Sequence, residues 1–285
     1  MEQKAPFMLV KTENYGIGSP FFARLFLFVL QLRDKLLYTE EEKLLFDNAY
    51  ARFLEPAKTA YLSFRKIVAI HHEFISQFEF GSTVFIQNNT FTVNNTIDSD
   101  ARSLTNSILS EAEIAFKGYI NEFAKLFDDF QLGFMAQKES RYQAGINNLR
   151  DTDDLIACYL DRNRKAWVEK LTSIRNRKEH DGWQLAPYQY QYDENKSRIV
   201  ICPPKINGMM YLDFLQFILS GLFTFVEELT VHLLSLNLEY QYVYQIPLEE
   251  RKKENMAKFA TSFITDKKSD PWILEYLGPD YTLTE

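Results

Sequence analysis

The stretch MYLDFLQFILSGLFTFVEELTVHLLSL, residues 210–236, decides the fold class. A helix of this sequence is apolar on most faces, which predicts that it packs centrally or forms an interface. Its most apolar part, 214–226, is shorter than the ~20 residues that a membrane span needs, and the apolar run 21–32 is shorter still and contains Arg24. Both runs therefore predict buried helices, and we expect no membrane segment.

Helical spacing and capping signals extend from this segment over much of the chain. Ser19-Pro20 is typical of a helix start, and Thr39 followed by three glutamates is typical of a capping box. Pro56 is expected to kink or split the helix that follows Thr39. The polar stretch 131–150 predicts a connection with some helix. The predicted helices cover about 21–37, 39–79, 101–130, 155–180, 210–236 and 248–264.

The period of the apolar residues changes to two at two places, which indicates strands. The first, near 83–97, surrounds Asn88-Asn89, and the second, near 188–202, surrounds 193–195. Each polar centre is typical of a hairpin turn. The fold class predicted from these patterns is mostly α, with two small inserted β-hairpins.

Charge and cysteine content exclude several classes of function. The net charge of −7 excludes a basic field over the whole protein, so any site for a nucleic acid must be a local patch. The cysteines, Cys158 and Cys202, lie in no metal-ligand pattern, and the sequence has no glycine-rich phosphate loop. We therefore expect neither a metal nor another cofactor. The polar start, 1–14, and the low cysteine content predict a cytoplasmic protein.

One predicted helix departs from the acidic average. Between 162 and 178 the sequence has seven Lys or Arg residues and one acid. A charged helix face is usually just solvated, and cations near a helix C-terminus stabilise its dipole by about 0.3–1 kcal/mol each. The alternative is a nucleic-acid-binding surface. Its candidate residues are Arg164, Lys165, Lys170, Arg177 and Lys178.

The same helix ends in the polar cluster IRNRKEHDG, residues 174–182. Arg175 carries a permanent charge suited to phosphate, and His180 exchanges a proton near neutral pH. Asn176 shares a helix face with His180, where it can hold a substrate or orient the histidine. In phosphodiester cleavage, Arg175 would stabilise the charge of the transition state and His180 would protonate the leaving oxygen. This cluster is the candidate catalytic site.

The motif, an Arg-Asn pair followed by three residues and a His at the end of a helix, resembles the signature of the HEPN superfamily (the higher-eukaryote and prokaryote nucleotide-binding domain). The resemblance implies an antiparallel helical bundle over 39–236 that contains the hairpins. An N-terminal helix within 1–38 would pack on this bundle, and 237–285 would be a C-terminal extension of one compact domain. Many members of the family are metal-independent ribonucleases, in which the motifs of two subunits meet and a 2′-OH of the RNA attacks the phosphate.

Carried over to this chain, the resemblance implies that Arg175 and His180 are catalytic, that Asn176 supports them, and that RNA is the substrate. One motif per chain implies a homodimer, and a toxin or defence role implies an antitoxin-like protein partner. Two alternatives remain open. The domain is either a non-catalytic module that binds nucleotide, RNA or a protein, or a structural interaction protein whose fifth helix forms a dimer.

Other histidines and the tyrosines are weaker candidates. His71 and His72 are adjacent and point about 100° apart on a helix, which disfavours a shared metal. His232 follows Glu228 by four residues, which is more typical of a buried pair than of a catalytic dyad. Alternating tyrosines on the second hairpin would stack RNA bases or simply form a half-buried sheet face. They are Tyr188, Tyr190 and Tyr192.

Overall fold

The computed structural model describes residues 20–81, 84–87, 90–93, 95–126, 139–193, 198–247 and 258–261. Within these ranges the chain is mostly helical, so the mostly α part of the predicted class is confirmed. The α-helices are α1 (Pro20–Phe26), α2 (Glu40–Glu79), α3 (Ile97–Phe123), α4 (Glu139–Thr152), α5 (Asp154–Asn163), α6 (Glu169–His180) and α7 (Tyr211–Leu236).

Small antiparallel strand pairs connect or follow the helices. The pairs are β1 (Val84–Gln87) with β2 (Thr90–Val93), β3 (Gln189–Asp193) with β4 (Arg198–Cys202), β5 (Lys205–Ile206) with β6 (Met209–Met210), and β7 (Val243–Gln245) with β8 (Phe259–Thr261). The first two pairs are the predicted hairpins, although their turn residues 88–89 and 194–197 lie outside the described residues.

The α2 helix begins with the predicted capping box. The Thr39 hydroxyl accepts a hydrogen bond from the Glu42 amide, and the Glu42 carboxylate accepts one from the Thr39 amide. The helix then runs from Glu40 to Glu79 with Pro56 inside it, so the predicted split is not found.

The α3 helix packs against α2 in the opposite direction. Ser63 meets Ser107 at 3.4 Å, and farther along the pair Arg52 forms an ion pair with the buried Glu122 at 2.8 Å. Gly118 permits this approach, because a Cβ built at Gly118 would lie 2.9 Å from the Cβ of Arg52. The antiparallel direction follows from the falling residue numbers on α3 as those on α2 rise.

The α7 helix occupies the centre of the fold. Every residue from Ile218 to Leu234 is buried. By length and composition α7 is the one helix of the described ranges that passes the criteria for a membrane span, but 94% of its most apolar window is buried inside the fold. Of the two alternatives predicted for this segment, central packing is the one observed. The Phe21 ring of α1 stacks on Phe223 of α7 at 4.7 Å, which joins the N-terminal helix to the core.

The chain returns to the core after α7. Leu238 forms a bridge with Leu36, and β7 pairs with β8. The predicted helix over 248–264 is wrong at Phe259–Thr261, because these residues form a strand whose backbone groups pair with Val243–Gln245. Residues 248–257 and 262–264 of that prediction lie outside the described part of the chain.

Candidate functional site

The predicted fourth helix is observed in two α-helical parts joined by a turn. The Asp153 carboxylate caps the start of α5, as its sequence predicts. A π-helical turn, Arg164–Val168, then joins α5 to α6. This turn seats Trp167 against α7 at Gly221, where a Cβ would lie 2.6 Å from the indole. The contact of the large Trp167 side chain with Gly221, which has no side chain, therefore positions α6, the helix that carries the motif.

The end of α6 exposes the motif at the protein surface. Leu171 and Ile174 face the core, and α6 ends at His180. Gly182 adopts a φ of 65°, a left-handed conformation that costs glycine little and ends the helix. The Trp183 amide donates to the Arg177 carbonyl at 3.1 Å and closes this last turn.

Arg175 is held by two carboxylates on different sides. Its Nε lies 2.9 Å from Oε2 of Glu113 on α3, and its Nη2 lies 2.9 Å from Oε1 of Glu179, four residues farther along α6. The Glu113 side chain is only 7% exposed, whereas the Arg175 side chain is 36% exposed. The buried carboxylate therefore fixes the guanidinium at the edge of the core while part of it stays open to solvent.

Glu113 is a site residue that the sequence patterns did not indicate, and Glu179 is another. Glu113 lies beside the apolar stripe of α3, next to the buried Ala112, and Lys117 also pairs with it at 2.5 Å. Charged residues are rarely buried without a partner, so an acid directly beside a core stripe is the available signal. The sequence does not reveal that the partner is Arg175, because the two lie on helices separated by about sixty residues.

His180 is exposed and Asn176 half-exposed on the face of α6 that looks away from the core. Within the described residues the His180 ring has no hydrogen bond or ion pair. Five helical positions correspond to a rotation of about 140°, so Arg175 and His180 lie on opposite margins of a polar surface rather than in contact. The exposure of His180 fits two interpretations. A histidine with no role beyond ending the helix would be exposed, and so would a histidine that gives a proton to a large external substrate.

Two of the predicted basic residues flank this surface. Arg177 is exposed, and Lys178 is half-exposed with its Nζ 3.5 Å from the Ser110 hydroxyl of α3. Together with Arg175 they concentrate cationic side chains in the last two turns of α6. Such a local concentration is the kind of patch that the net charge of −7 leaves possible.

The other three predicted basic residues lie earlier in the sequence of this helix, and their partners lie away from the end of α6. Arg164 is buried, stacks on the Tyr142 ring at 3.7 Å and forms an ion pair with Glu139 at 2.9 Å. Lys165 forms an ion pair with Asp161 at 2.6 Å. Lys170 donates to the Ala166 carbonyl of the π-helical turn and lies over the Phe217 ring of α7. The structure therefore does not bring these three residues to the motif surface.

A second polar cluster joins α2 to the second hairpin. The Tyr188 hydroxyl lies 2.6 Å from Nδ1 of His71 and 2.7 Å from the Tyr211 hydroxyl. Burial lowers the pKa of His71, and the neighbouring His72 lowers it further. Of the three alternating tyrosines, Tyr188 is thus part of the core, Tyr190 stacks on Phe78 at 5.8 Å, and Tyr192 is exposed.

Glu228 and His232, predicted as a buried pair, are both buried, and each also contacts residues outside α7. The Glu228 carboxylate accepts hydrogen bonds from the Tyr159 hydroxyl at 2.8 Å and from Lys258 at 3.0 Å. His232 is fully buried, with its Nε2 3.7 Å from the Asp153 carboxylate. Both groups therefore serve the packing of α5 and β8 on α7.

Among the described residues, no group of three or more His, Cys, Asp or Glu is placed to hold a metal ion. Comparison of the chain with protein-family models, with curated proteins and with solved structures gave no match.

Proposed function

We propose that this protein is a metal-independent endoribonuclease of the HEPN type, in which α2, α3, the α5–α6 helix and α7 form the antiparallel bundle of that family. One observation carries the proposal. The Arg175 guanidinium is held by the buried Glu113 at one margin of a polar surface, and the exposed His180 lies at the other margin.

The proposed reaction needs one cation and proton transfer. The 2′-oxygen of a nucleotide attacks the neighbouring phosphorus, the bond from phosphorus to the 5′-oxygen breaks, and the products carry a cyclic phosphate and a 5′-hydroxyl. Arg175 stabilises the extra negative charge on the phosphoryl oxygens. His180 gives a proton to the leaving 5′-oxygen, while the 2′-hydroxyl proton passes to a second histidine. Asn176 holds the substrate between the two margins.

The need for a second histidine leads to a homodimer. Because Arg175 and His180 diverge by about 140° around α6, two copies meet at each cleavage point. Arg175 of one copy holds the phosphate, one His180 gives the proton to the 5′-oxygen, and the His180 of the other copy accepts the 2′-hydroxyl proton. The buried α7 is not available for this contact, so the interface must involve the polar end of α6. We also expect a cytoplasmic location and an antitoxin-like protein partner, since an uncontrolled ribonuclease would damage the cell that makes it.

The test is cleavage of a labelled single-stranded RNA in the presence of EDTA. Wild type should cut the strand, and Arg175→Ala and His180→Ala should each lose cleavage by at least ~100-fold, the usual size of such contributions. Arg162→Ala is the matched control, because Arg162 is an exposed cation on α5 that lies outside the proposed site. A loss in the control equal to that in Arg175→Ala would contradict the assignment.

The second candidate function is a non-catalytic module that binds RNA or nucleotide. It is favoured by the cationic end of α6, where Arg175, Arg177 and Lys178 do not depend on a nearby histidine. In this case RNA binds without being cut, Arg175→Ala weakens binding, and His180→Ala binds like wild type.

A further inference from the structure

Arg175 has two carboxylate partners of different character. Glu113 approaches from α3 with a side chain that is 7% exposed, and it also pairs with Lys117. Glu179 approaches from the same helix with a side chain that is 46% exposed. A guanidinium has five N–H donors in a planar fork that matches a phosphate as well as a carboxylate. Glu113 therefore orients the fork, and Glu179 occupies part of the edge that faces solvent.

The position of Glu179 is unfavourable for the helix itself. A carboxylate in the last turn faces the negative end of the helix dipole, where cations are preferred. An acid four residues after a base is also the weaker order for a helical ion pair. Helix stability therefore does not explain why an acid stands at position 179. Its ion pair with Arg175 is the feature that offers another reason.

Glu179 also lies within the proposed substrate surface. On α6 it falls between Arg175 and Asn176 in angle, so a phosphate that binds Arg175 near His180 must displace it. We propose that Glu179 is an intramolecular substitute for phosphate that inhibits the site until an RNA strand replaces it at Arg175. This inference rests on the proposed function, and it assigns to Glu179 the control of RNA affinity.

The ion pair between Glu179 and Arg175 predicts which ligands can displace Glu179 and bind at Arg175. A single phosphate gains one arginine contact and loses the existing ion pair, so the net gain is small. A polynucleotide also places phosphates near Arg177 and Lys178, and these added contacts favour displacement. Glu179 thus selects polymeric RNA over free nucleotides.

The experiment measures binding of a fluorescent single-stranded RNA to wild type and to Glu179→Gln, in EDTA and at two salt concentrations. The RNA carries 2′-O-methyl groups, so that it binds without being cut. The substitution removes the competing charge while keeping the size of the side chain. An exposed ion pair of this kind corresponds to about a 2- to 5-fold change in affinity, so Glu179→Gln should bind RNA more tightly by about that factor. The matched control is Glu169→Gln, an exposed acid of the same helix that pairs with Arg164 at 3.4 Å instead.

A double variant tests whether the effect passes through the guanidinium. In an Arg175→Ala background, Glu179→Gln should no longer tighten binding beyond the Glu169→Gln control. Equal binding by Glu179→Gln and Glu169→Gln overturns the inference, and so does tightening that survives Arg175→Ala. If wild type binds RNA in these cases, the proposed function stands while the inference fails. Absence of RNA binding in every variant, Glu179→Gln included, overturns both.

Discussion

Loss of the Lys258 ammonium should expose how strongly β8 is tied to the helical core. The Lys258 and Glu228 side chains are each 2% exposed and form an ion pair at 3.0 Å, and the other Glu228 oxygen accepts from Tyr159. Breaking a buried pair by removing one partner costs about 3–5 kcal/mol, because the remaining charge stays buried. For a chain of this size, with about 2 °C lost per kcal/mol, Lys258→Met should lower Tm by about 6–10 °C at pH 7.5.

The loss should depend on pH in a defined direction. Burial raises the pKa of Glu228, and Lys258 and Tyr159 offset part of that rise. The folded state then binds more protons than the unfolded state between the two pKa values, so stability falls as pH rises through this interval. Removing Lys258 raises the folded pKa further and widens the interval. The deficit of Lys258→Met relative to wild type should therefore be small near pH 4.5 and grow towards pH 7.5.

The assay is thermal unfolding followed by circular dichroism at both pH values. The matched control is the double variant Lys258→Met with Glu228→Gln, in which neither position of the pair leaves a buried charge and the amide still accepts from Tyr159. This variant should recover most of the lost stability. A deficit that is the same at both pH values, or a double variant as unstable as the single one, would refute the reasoning.

Two further substitutions test the parts of the fold that position the site. Gly221→Ala should destabilise the protein by about 1–3 kcal/mol in spite of its better helix propensity, because the new Cβ would lie 2.6 Å from the Trp167 ring; urea unfolding measures this, and an unchanged midpoint contradicts the tight contact. Thr39→Ala should cost about 1 kcal/mol by removing the hydroxyl that caps α2; a loss of several kcal/mol in the same urea assay would mean that Thr39 does more than cap.

Local signals in the sequence predict the helices and hairpins well. The fifth predicted helix, 210–236, differs from Tyr211–Leu236 by one residue, since a long apolar stretch bounded by polar turns has few alternatives. The Asp153 cap and both hairpins follow from side chains within a few positions of their backbone partners. Interactions between residues that are close in the chain can be predicted from the local sequence alone.

Tertiary contacts explain what the sequence patterns missed. The π-helical turn at Arg164–Val168 accompanies the packing of Trp167 on Gly221, more than fifty positions away. Arg164 carries the same charge as its neighbours but is buried by Tyr142, a contact that no local pattern indicates. Phe259–Thr261 has helical spacing in the sequence, yet its partner strand decides its structure.

The sequence also predicted only part of the candidate site. Arg175, Asn176 and His180 lie at a helix end on the surface, as their spacing indicates. The carboxylates that control Arg175 were not predicted. Glu113 comes from another helix, and the functional meaning of Glu179 appears only once its ion pair with Arg175 is seen.

The most direct measurement of the central claim compares two strands in EDTA, an RNA and the same RNA with a 2′-deoxy sugar at its cleavage position. We predict that wild type cuts the RNA, leaves cyclic-phosphate ends and spares the deoxy position, and that His180→Ala cuts neither strand. Cleavage at the deoxy position, cleavage only after a divalent metal is restored, or full activity of His180→Ala would contradict the claim that Arg175 and His180 perform metal-independent cleavage of RNA.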